Sequence, residues 1–312
     1  MMRDDKPGNS KIFRHALSET FEAELKKGRY APLVKAVRTD KDLDMEFRCT
    51  YLNIYYKGNS ILQLYEDGGV SVHPNIWKHL GLKNKPKPFN NEEAVNAYVE
   101  LLPALKKAVI TQHEESSESL EREYEQLIIR ANNFEKANKS EYIMIDRQYA
   151  YGLDGSDEKT QEKWDLVAVK WPLKNRSRRL TGNLTLIEVK YDNNNDIQDL
   201  SEQVEGYYSC LRQNMRLICD DMKEVLRQKL EIGLVTGLDS AQTNRLRKLN
   251  LDTSPESAEI VIYLVDHSPN SPLFARARPK LRKLPFAAQI LIARSGFAMW
   301  NTSVRPLVRR AR

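Results

Sequence analysis

The stretch LTLIEVKYDNNND, residues 184 to 196, begins as an apolar, β-branched strand and ends in asparagine and aspartate. Successive side chains of a strand point to opposite faces, so Leu184, Leu186, Glu188 and Lys190 are expected to share one face. Glu188 and Lys190 therefore point the same way at the end of an otherwise apolar strand. A carboxylate and an ammonium together in this position suggest a functional site.

A second carboxylate lies in the preceding apolar segment, KWDLVAVKW, residues 163 to 171. Asp165 stands near its start, where β-strand propensity disfavours an acid. If the two strands pair as a hairpin across PLKNRSRRLTGN, residues 172 to 183, Asp165 lies opposite the carboxyl-terminal end of the second strand. We therefore expect Asp165, Glu188 and Lys190 to lie close together.

Two carboxylates provide only oxygen atoms as metal ligands, which suits a hard cation such as Mg²⁺ or Mn²⁺. Such a cation binds one or two carboxylates together with substrate phosphate. A neighbouring lysine can stabilise the negative charge that grows on a phosphoryl group and can assist a metal-bound water. The alternative is an exposed ion pair between Glu188 and Lys190. An acid two residues before a lysine also occurs elsewhere in this chain, as in Asp157 and Lys159.

The segments around these residues alternate in type. A helix over residues 119 to 138 precedes three strands, and a long helix and further strands follow them. This order predicts an α/β domain with a mixed sheet. The predicted elements after the first helix are strands over residues 142 to 152, 163 to 171 and 184 to 191, a helix over about 200 to 230, and strands near 259 to 266 and 287 to 294.

Asp165 followed by Glu188-Val189-Lys190 in this setting resembles the core of the PD-(D/E)XK nuclease superfamily. The long helix carries Gln203-Val204-Glu205-Gly206-Tyr207, which is similar to the QxxxY motif of the RecB-like branch. Trp164 stands where proline often precedes the acid. The resemblance covers roughly residues 115 to 300. It implies a restriction-endonuclease-like core of helix, three strands, helix and strand, built on a mixed sheet.

The resemblance also implies roles for individual residues. Asp165 and Glu188 are expected to bind Mg²⁺ or Mn²⁺, and Lys190 is expected to stabilise the transition state. Gln203 and Tyr207 are four residues apart on one helical face. In the RecB-like branch such side chains orient the lysine and contact DNA.

Members of the superfamily often add an acid from the first core helix, where this chain reads EREYEQ. Glu121 and Glu123 flank the apolar stripe of that helix, whereas Glu125 is expected to point further away. We therefore expect Glu121 to be the third metal ligand. A solvated acidic helix face is the alternative.

Basic residues are concentrated in two segments. From residue 268 to 312 the chain has ten Lys or Arg and no Asp or Glu, whereas the whole chain has a net charge of +6. The turn between the two acid-bearing strands is also basic, and we expect it to lie beside the acids and hold phosphates. Its predicted nucleic-acid contacts are Lys170, Lys174, Arg176, Arg178 and Arg179.

The sequence predicts two domains, with the boundary at a polar stretch, QHEESSES, residues 112 to 119. Residues 1 to 111 are expected to form a separate α+β domain, with helical periodicity over residues 11 to 37 and a meander of short strands after it. No catalytic constellation is evident in this part, which makes it a candidate for contact with a protein partner. Residues 112 to 312 are expected to form the nuclease-like domain with its basic end.

Several features predict a cytoplasmic protein without a membrane partner. The longest apolar runs are far shorter than the ~20 residues that span a bilayer. The first residues, MMRDDKPGNSK, are charged and lack the apolar segment of a secretory signal. The three cysteines are scattered, as is usual for reduced thiols in a cytosol.

Together these features and the resemblance predict a metal-dependent nuclease that hydrolyses phosphodiester bonds, with DNA as the expected substrate. The resemblance implies a bacterial protein with a role in nucleic-acid processing, repair, restriction or defence. The alternative is a non-catalytic nucleic-acid-binding module or adaptor that retains the nuclease fold. The residues are compatible with DNA or RNA, and with cleavage inside a strand or from its end.

Overall fold

The computed structural model describes residues 10–12, 14–81, 91–113, 120–135, 137–153, 162–178, 180–192 and 195–296. The N-terminal part combines helices with short strands. Its elements are β1 (Ser10–Ile12), α1 (Glu19–Lys26), α2 (Ala31–Thr39), β2 (Leu43–Arg48), β3 (Tyr51–Tyr56), β4 (Asn59–Tyr65), β5 (Val70–Ser71), α3 (Pro74–His79) and α4 (Glu92–His113).

The C-terminal part confirms the predicted order of helix, three strands, long helix and strand. Its elements are α5 (Leu120–Arg130), β6 (Tyr142–Leu153), β7 (Glu162–Lys170), β8 (Thr181–Tyr191), α6 (Leu200–Glu231), α7 (Ser240–Arg247), β9 (Asn250–Leu251), β10 (Glu259–Val265), α8 (Pro272–Arg282) and β11 (Ile290–Ser295). The protein is therefore of the α/β class. None of the described helices combines the length and the apolar character needed to cross a membrane.

The larger sheet has seven strands in the order β1-β6-β7-β8-β10-β11, with β9 beside β8. Strands β6, β7 and β8 are antiparallel, whereas β8, β10 and β11 are parallel, so the sheet is mixed as predicted. Parallel neighbours need a crossover connection, and α6 lies in the connection from β8 to β10. Leu186 on β8 packs in the same cluster as Val204 of α6, whereas Ile187 packs with Ile129 of α5. Helices α5 and α6 therefore cover opposite faces of the sheet.

The smaller sheet is antiparallel, in the order β2-β3-β4-β5. Its apolar side chains, such as Phe47 and Ile54, belong to one buried cluster that continues to Val225 and Leu226 of α6. The two sheets thus share a hydrophobic core. The division into two domains at residue 111 stays a prediction.

The helix predicted over residues 11 to 37 is wrong in its first part, because the chain from Ser10 to Ile12 forms an antiparallel pair with β6. The next residues are held by side chains of α6 instead of by helical hydrogen bonds. The backbone N–H of Ala16 donates to Asp221 at 3.0 Å, and the N–H of Leu17 donates to Gln228 at 3.0 Å. Tertiary hydrogen bonds therefore override the local helical periodicity.

Candidate active site

The site lies where β7 and β8 separate. The two strands pair as far as Leu166 opposite Ile187, and no further pair forms between them in the described part of the chain. Beyond this point the backbone N–H of Val189 donates to Oδ2 of Asp165 at 2.8 Å, and Asp165 is half-buried. The side chain of one strand thus takes the place of a backbone acceptor, and Asp165 lies at the same end of the hairpin as Glu188.

Glu188 and Lys190 share one face of β8, as predicted. The ammonium of Lys190 lies 2.5 Å from Oε1 of Glu188. Glu188 is only 2% exposed and Lys190 only 4%. The alternative of an exposed ion pair is therefore wrong, because this pair is buried. A buried charge pair is costly to maintain, since both ions lose their hydration.

Helix α6 brings Tyr207 onto Glu188. The Tyr207 hydroxyl donates to Oε2 of Glu188, and it also lies 3.3 Å from the carbonyl oxygen of Lys163. Gln203, one turn earlier, has a buried Oε1 for which the described residues provide no hydrogen-bond donor. Tyr207 thus contacts the glutamate that pairs with Lys190.

Glu121 on α5 reaches the same end of β8. Its Oε2 accepts a hydrogen bond from the backbone N–H of Tyr191 at 3.3 Å. Its Oε1 lies 3.9 Å from the Lys190 ammonium. Lys190 therefore has a carboxylate on each side, one from its own strand and one from α5.

The expectation that Glu125 points away from the site is wrong. Glu125 is 1% exposed, and both of its carboxylate oxygens lie 3.1 Å from Nε2 of Gln148. The same nitrogen lies 3.3 Å from Oδ1 of Asp165. The sequence signal was present, because Glu125 is four residues after Glu121 and so shares its helical face. No local signal identified Gln148, since its role depends on how β6 lies beside β7.

Negative charge exceeds positive charge at the site. Burial raises the pKa of Asp165 well above its usual range, and the nearby carboxylates of Glu188 and Glu125 raise it further. Burial alone would lower the pKa of Lys190, but attraction to Glu188, Asp165 and Glu121 outweighs it, and the pKa is raised. The lysine is therefore held as a cation, whereas ionised Asp165 lacks compensation that a further cation would supply.

The donor set fits a hard divalent cation with few protein ligands. In the part of the chain that the structure describes, no group of three or more His, Cys, Asp or Glu side chains forms a ready cage for a metal. Asp165 and Glu188 supply two carboxylates, and Mg²⁺ usually binds one or two together with water and substrate phosphate. The repulsion between Asp165 and the nearby carboxylates of Glu188 and Glu125, which a cation would relieve, is the observation that supports the fit.

The basic turn does not lie beside the acids. Lys170 pairs with Asn183 at the closed end of the hairpin, whereas Asp165 lies at the open end. The strand between Lys170 and Asp165 is about 17 Å long at ~3.3 Å per residue. The prediction failed because a hairpin turn joins the strand ends that lie furthest from the point where the strands separate.

The predicted nucleic-acid contacts differ in their surroundings. Lys170 lies 2.5 Å from Glu259. Arg176 is 5% exposed and donates to the carbonyl oxygens of Trp171 and Ala137, so it stabilises the turn and is not accessible to phosphate. Lys174 and Arg178 are exposed. Arg179 lies outside the described residues.

Helix α8 carries the described part of the basic C-terminal segment. It packs against the turn Asn195–Asp199, which follows the site strand β8. Four exposed basic side chains lie on α8 and a fifth directly follows it: Arg276, Arg278, Lys280, Arg282 and Lys283. The predicted basic residues from Arg305 onward lie outside the described residues.

The chain was compared with protein families, curated proteins and solved structures. No family model matches it, and neither a curated protein nor a solved structure does. The geometry of the site is therefore the basis for its interpretation.

Proposed function

We propose that this protein is a metal-dependent nuclease of the PD-(D/E)XK type that hydrolyses phosphodiester bonds in DNA. The supporting observation is the convergence of Asp165, Glu188 and Lys190 at the point where β7 and β8 separate. The order α5-β6-β7-β8-α6-β10, with α5 and α6 on opposite faces, is the order expected of a restriction-endonuclease-like core.

Asp165 and Glu188 would hold Mg²⁺ or Mn²⁺, and Glu121 and Glu125 are the acids of α5 that lie nearest to them. When bound, the cation would polarise the phosphodiester and lower the pKa of a coordinated water. Tyr207 holds one oxygen of Glu188 in place. A carboxylate fixed in this way keeps the orientation that a ligand needs.

Lys190 supplies positive charge at the scissile phosphate. Because it lies between the carboxylates of Glu188 and Glu121, it is a cation at neutral pH and acts through its charge. A fixed ammonium stabilises the negative charge that develops on phosphate oxygens. Gln203 offers its buried oxygen as an acceptor for substrate or water.

The exposed basic face of α8 is the proposed contact with the nucleic-acid backbone. Its cations lie on a helix that packs beside the turn following β8, and neutralising phosphates is the usual source of affinity for DNA. Lys174 and Arg178 of the hairpin turn are exposed and stay proposed phosphate contacts further from the site. We propose a cytoplasmic role in DNA repair, restriction or defence.

Cleavage assays test the proposal directly. Circular and linear DNA, single- and double-stranded, are incubated with the protein in the presence and absence of Mg²⁺, and cleavage is expected only with the metal. Lys190→Met is expected to lower the rate by about 100-fold, the typical effect of removing one group that stabilises transition-state charge. Full cleavage by this variant refutes the assignment.

Lys229→Met is the matched control for Lys190→Met. Lys229 is also a buried lysine, 2% exposed, and it lies 2.7 Å from Glu46. It is about 33 Å along α6 from Tyr207, at ~1.5 Å per residue. The control is expected to lose stability but to keep its cleavage rate per folded molecule. An equal loss of activity in both variants would indicate a general effect of disrupting buried ion pairs.

A second candidate function is nucleic-acid binding without catalysis. It is favoured by the observation that each carboxylate oxygen of Asp165 and Glu188 already accepts a hydrogen bond within the chain. Such a protein would bind DNA with a steep dependence on salt and would not respond to Mg²⁺. Isothermal titration calorimetry with Mn²⁺ distinguishes the two, because a nuclease site binds the ion and a metal-free remnant does not.

A further inference from the structure

Strand β6 has an irregular backbone next to the site. Its register with β7 shifts between Met144 and Asp146, and Gln148 has a φ of +53°, in the left-handed region that residues other than glycine rarely adopt. Bulges of this kind redirect side chains and often occur beside active sites. Here the consequence is visible, because consecutive residues Arg147 and Gln148 both contact Glu125. In a regular strand they would point to opposite faces.

Gln148 connects two acids from different elements. Its amide nitrogen is within 3.1 Å of both oxygens of Glu125 on α5 and within 3.3 Å of Asp165 on β7. The neutral Gln148 amide cannot neutralise either carboxylate, but its NH₂ group can donate hydrogen bonds to both and so keep them close together. The separation of the two acids is therefore set by a residue that has no charge.

Arg147 connects the same glutamate to the N-terminal part. Arg147 is completely buried, and its Nε donates to Glu125 at 2.8 Å. Its Nη2 donates to the carbonyl oxygen of Arg122 at 2.7 Å and to that of Gly58 at 3.3 Å. The guanidinium also lies 4.5 Å from the centre of the Tyr55 ring. Gly58 and Tyr55 belong to the β3–β4 hairpin of the smaller sheet.

This hairpin fits tightly against α5. Gly58 has a φ of +76°, and a Cβ atom there would lie 2.4 Å from the backbone carbon of Arg122. The N–H of Gly58 donates to Oε1 of Gln126 at 2.8 Å, and Lys57 forms an ion pair with Glu123 at 3.2 Å. The N-terminal part therefore contacts the backbone and side chains of the helix that carries Glu121 and Glu125.

We propose that Arg147 and Gln148 are positioning residues of the nuclease site. Gln148 sets the spacing of Asp165 and Glu125, and Arg147 anchors Glu125 to the β3–β4 hairpin. The N-terminal part is thus a structural component of the site in addition to any role in partner binding. The proposal rests on the proposed function, because it assigns these contacts to a cation site.

The test compares matched glutamine variants of the full chain. Gln148→Met keeps the length of the side chain but removes the donor. Gln228→Met is the control, because Gln228 is 1% exposed and exchanges two hydrogen bonds with the backbone of Leu17, far along α6. Isothermal titration calorimetry measures the affinity for Mn²⁺. We expect about a 10-fold weaker affinity in Gln148→Met, the usual cost of losing a group that orients metal ligands, and no change in the control.

A second pair of variants uses the buried arginines. Arg147→Lys keeps the charge but cannot make the same three contacts, whereas Arg176→Lys removes comparable bonds to backbone carbonyls at the hairpin turn. We expect weaker Mn²⁺ binding in Arg147→Lys alone, and higher Mn²⁺ concentrations should restore part of its cleavage rate. Thermal unfolding is measured for all four variants.

The outcomes separate the two proposals. If the wild-type protein neither binds Mn²⁺ nor cleaves DNA, the proposed function fails and the positioning roles fail with it. If the wild-type protein binds Mn²⁺ and both Gln148→Met and Arg147→Lys bind it equally well, only the positioning roles are refuted. If one of these variants does not fold, the other decides by the same measurement. If neither folds while both controls do, the residues stabilise the fold and the positioning roles are refuted.

Discussion

The backbone N–H of Val189 donates to the carboxylate of Asp165 at 2.8 Å, at the point where their two strands cease to pair. This contact holds the acid of β7 beside the end of β8. Without it, the separated strand ends would leave a buried N–H without an acceptor, which is costly. The same hydrogen bond therefore completes the sheet and brings Asp165 close to Glu188.

Replacing Asp165 by Asn is expected to abolish cleavage and to stabilise the metal-free protein. Asparagine keeps an oxygen for the Val189 N–H and loses only the acceptor of the longer, 3.3 Å contact with Gln148. It also removes a charge that is repelled by Glu188 and Glu125. We expect the Tm at neutral pH to rise by about 2–4 °C, the shift given by ~1 kcal/mol in a large domain. Calorimetry without metal measures the Tm, and a lower Tm than that of the wild type would contradict this account.

The pH dependence of stability follows from the same carboxyl group. Its pKa in the folded state is raised above the unfolded value, so the folded state binds more protons, and stability falls as pH rises from the unfolded pKa through the folded pKa. We expect the Tm of the metal-free wild-type protein to fall more between about pH 4 and neutral pH than the Tm of Asp165→Asn does. If Asp165 has no such role, the difference in Tm between the two proteins will be the same at every pH.

Removing the hydroxyl of Tyr207 should lower both the stability of the protein and its cleavage rate. Tyr207→Phe removes the donor to Glu188, and we expect a loss of ~1–3 kcal/mol in unfolding free energy because a buried acceptor loses its partner. Cleavage is expected to fall by about 10-fold, since Glu188 is no longer held as a ligand. Tyr149→Phe is the control, because the Tyr149 hydroxyl lies 3.5 Å from Asp221 instead of at the site. Equal cleavage by the two variants would count against the role of Tyr207.

Two glycines with positive φ offer a test of the contact between the hairpin and α5. Gly58→Ala is expected to destabilise the protein by more than the ~1–3 kcal/mol cost of a left-handed alanine, because its Cβ would overlap the backbone of Arg122. Gly81 has a φ of +67°, and a Cβ atom there would meet no atom of the described residues within 4 Å, so Gly81→Ala should show the conformational cost alone. Urea unfolding measures both, and equal losses would mean that the hairpin does not press on α5.

The basic face of α8 should contribute to the salt dependence of DNA binding. Each phosphate contact contributes about 0.9 to the slope of log K against log salt. We expect Arg276→Ala with Lys280→Ala to lower the magnitude of this slope by about 1 to 2. Lys174→Ala with Arg178→Ala tests the hairpin turn in the same way. Unchanged slopes in the α8 variant would exclude this helix as the contact surface.

Local patterns predicted much of the site. The alternation of side chains along a strand placed Glu188 and Lys190 on one face, and the buried ion pair agrees with it. Regular helical spacing likewise predicted α6, which carries Gln203 and Tyr207. The basic hairpin turn was misplaced because closeness to Asp165 in the sequence does not mean closeness in space: about 17 Å of extended strand separates Lys170 from Asp165.

The sequence by itself determined the α/β order of elements and the pairing of Glu188 with Lys190, because strand and helix periodicities depend only on neighbouring residues. Tertiary structure alone decided that β1 joins the larger sheet and that Arg147 meets Gly58, 89 residues away in the chain. Such contacts depend on how whole elements pack and on where buried donors find acceptors. No local periodicity encodes them.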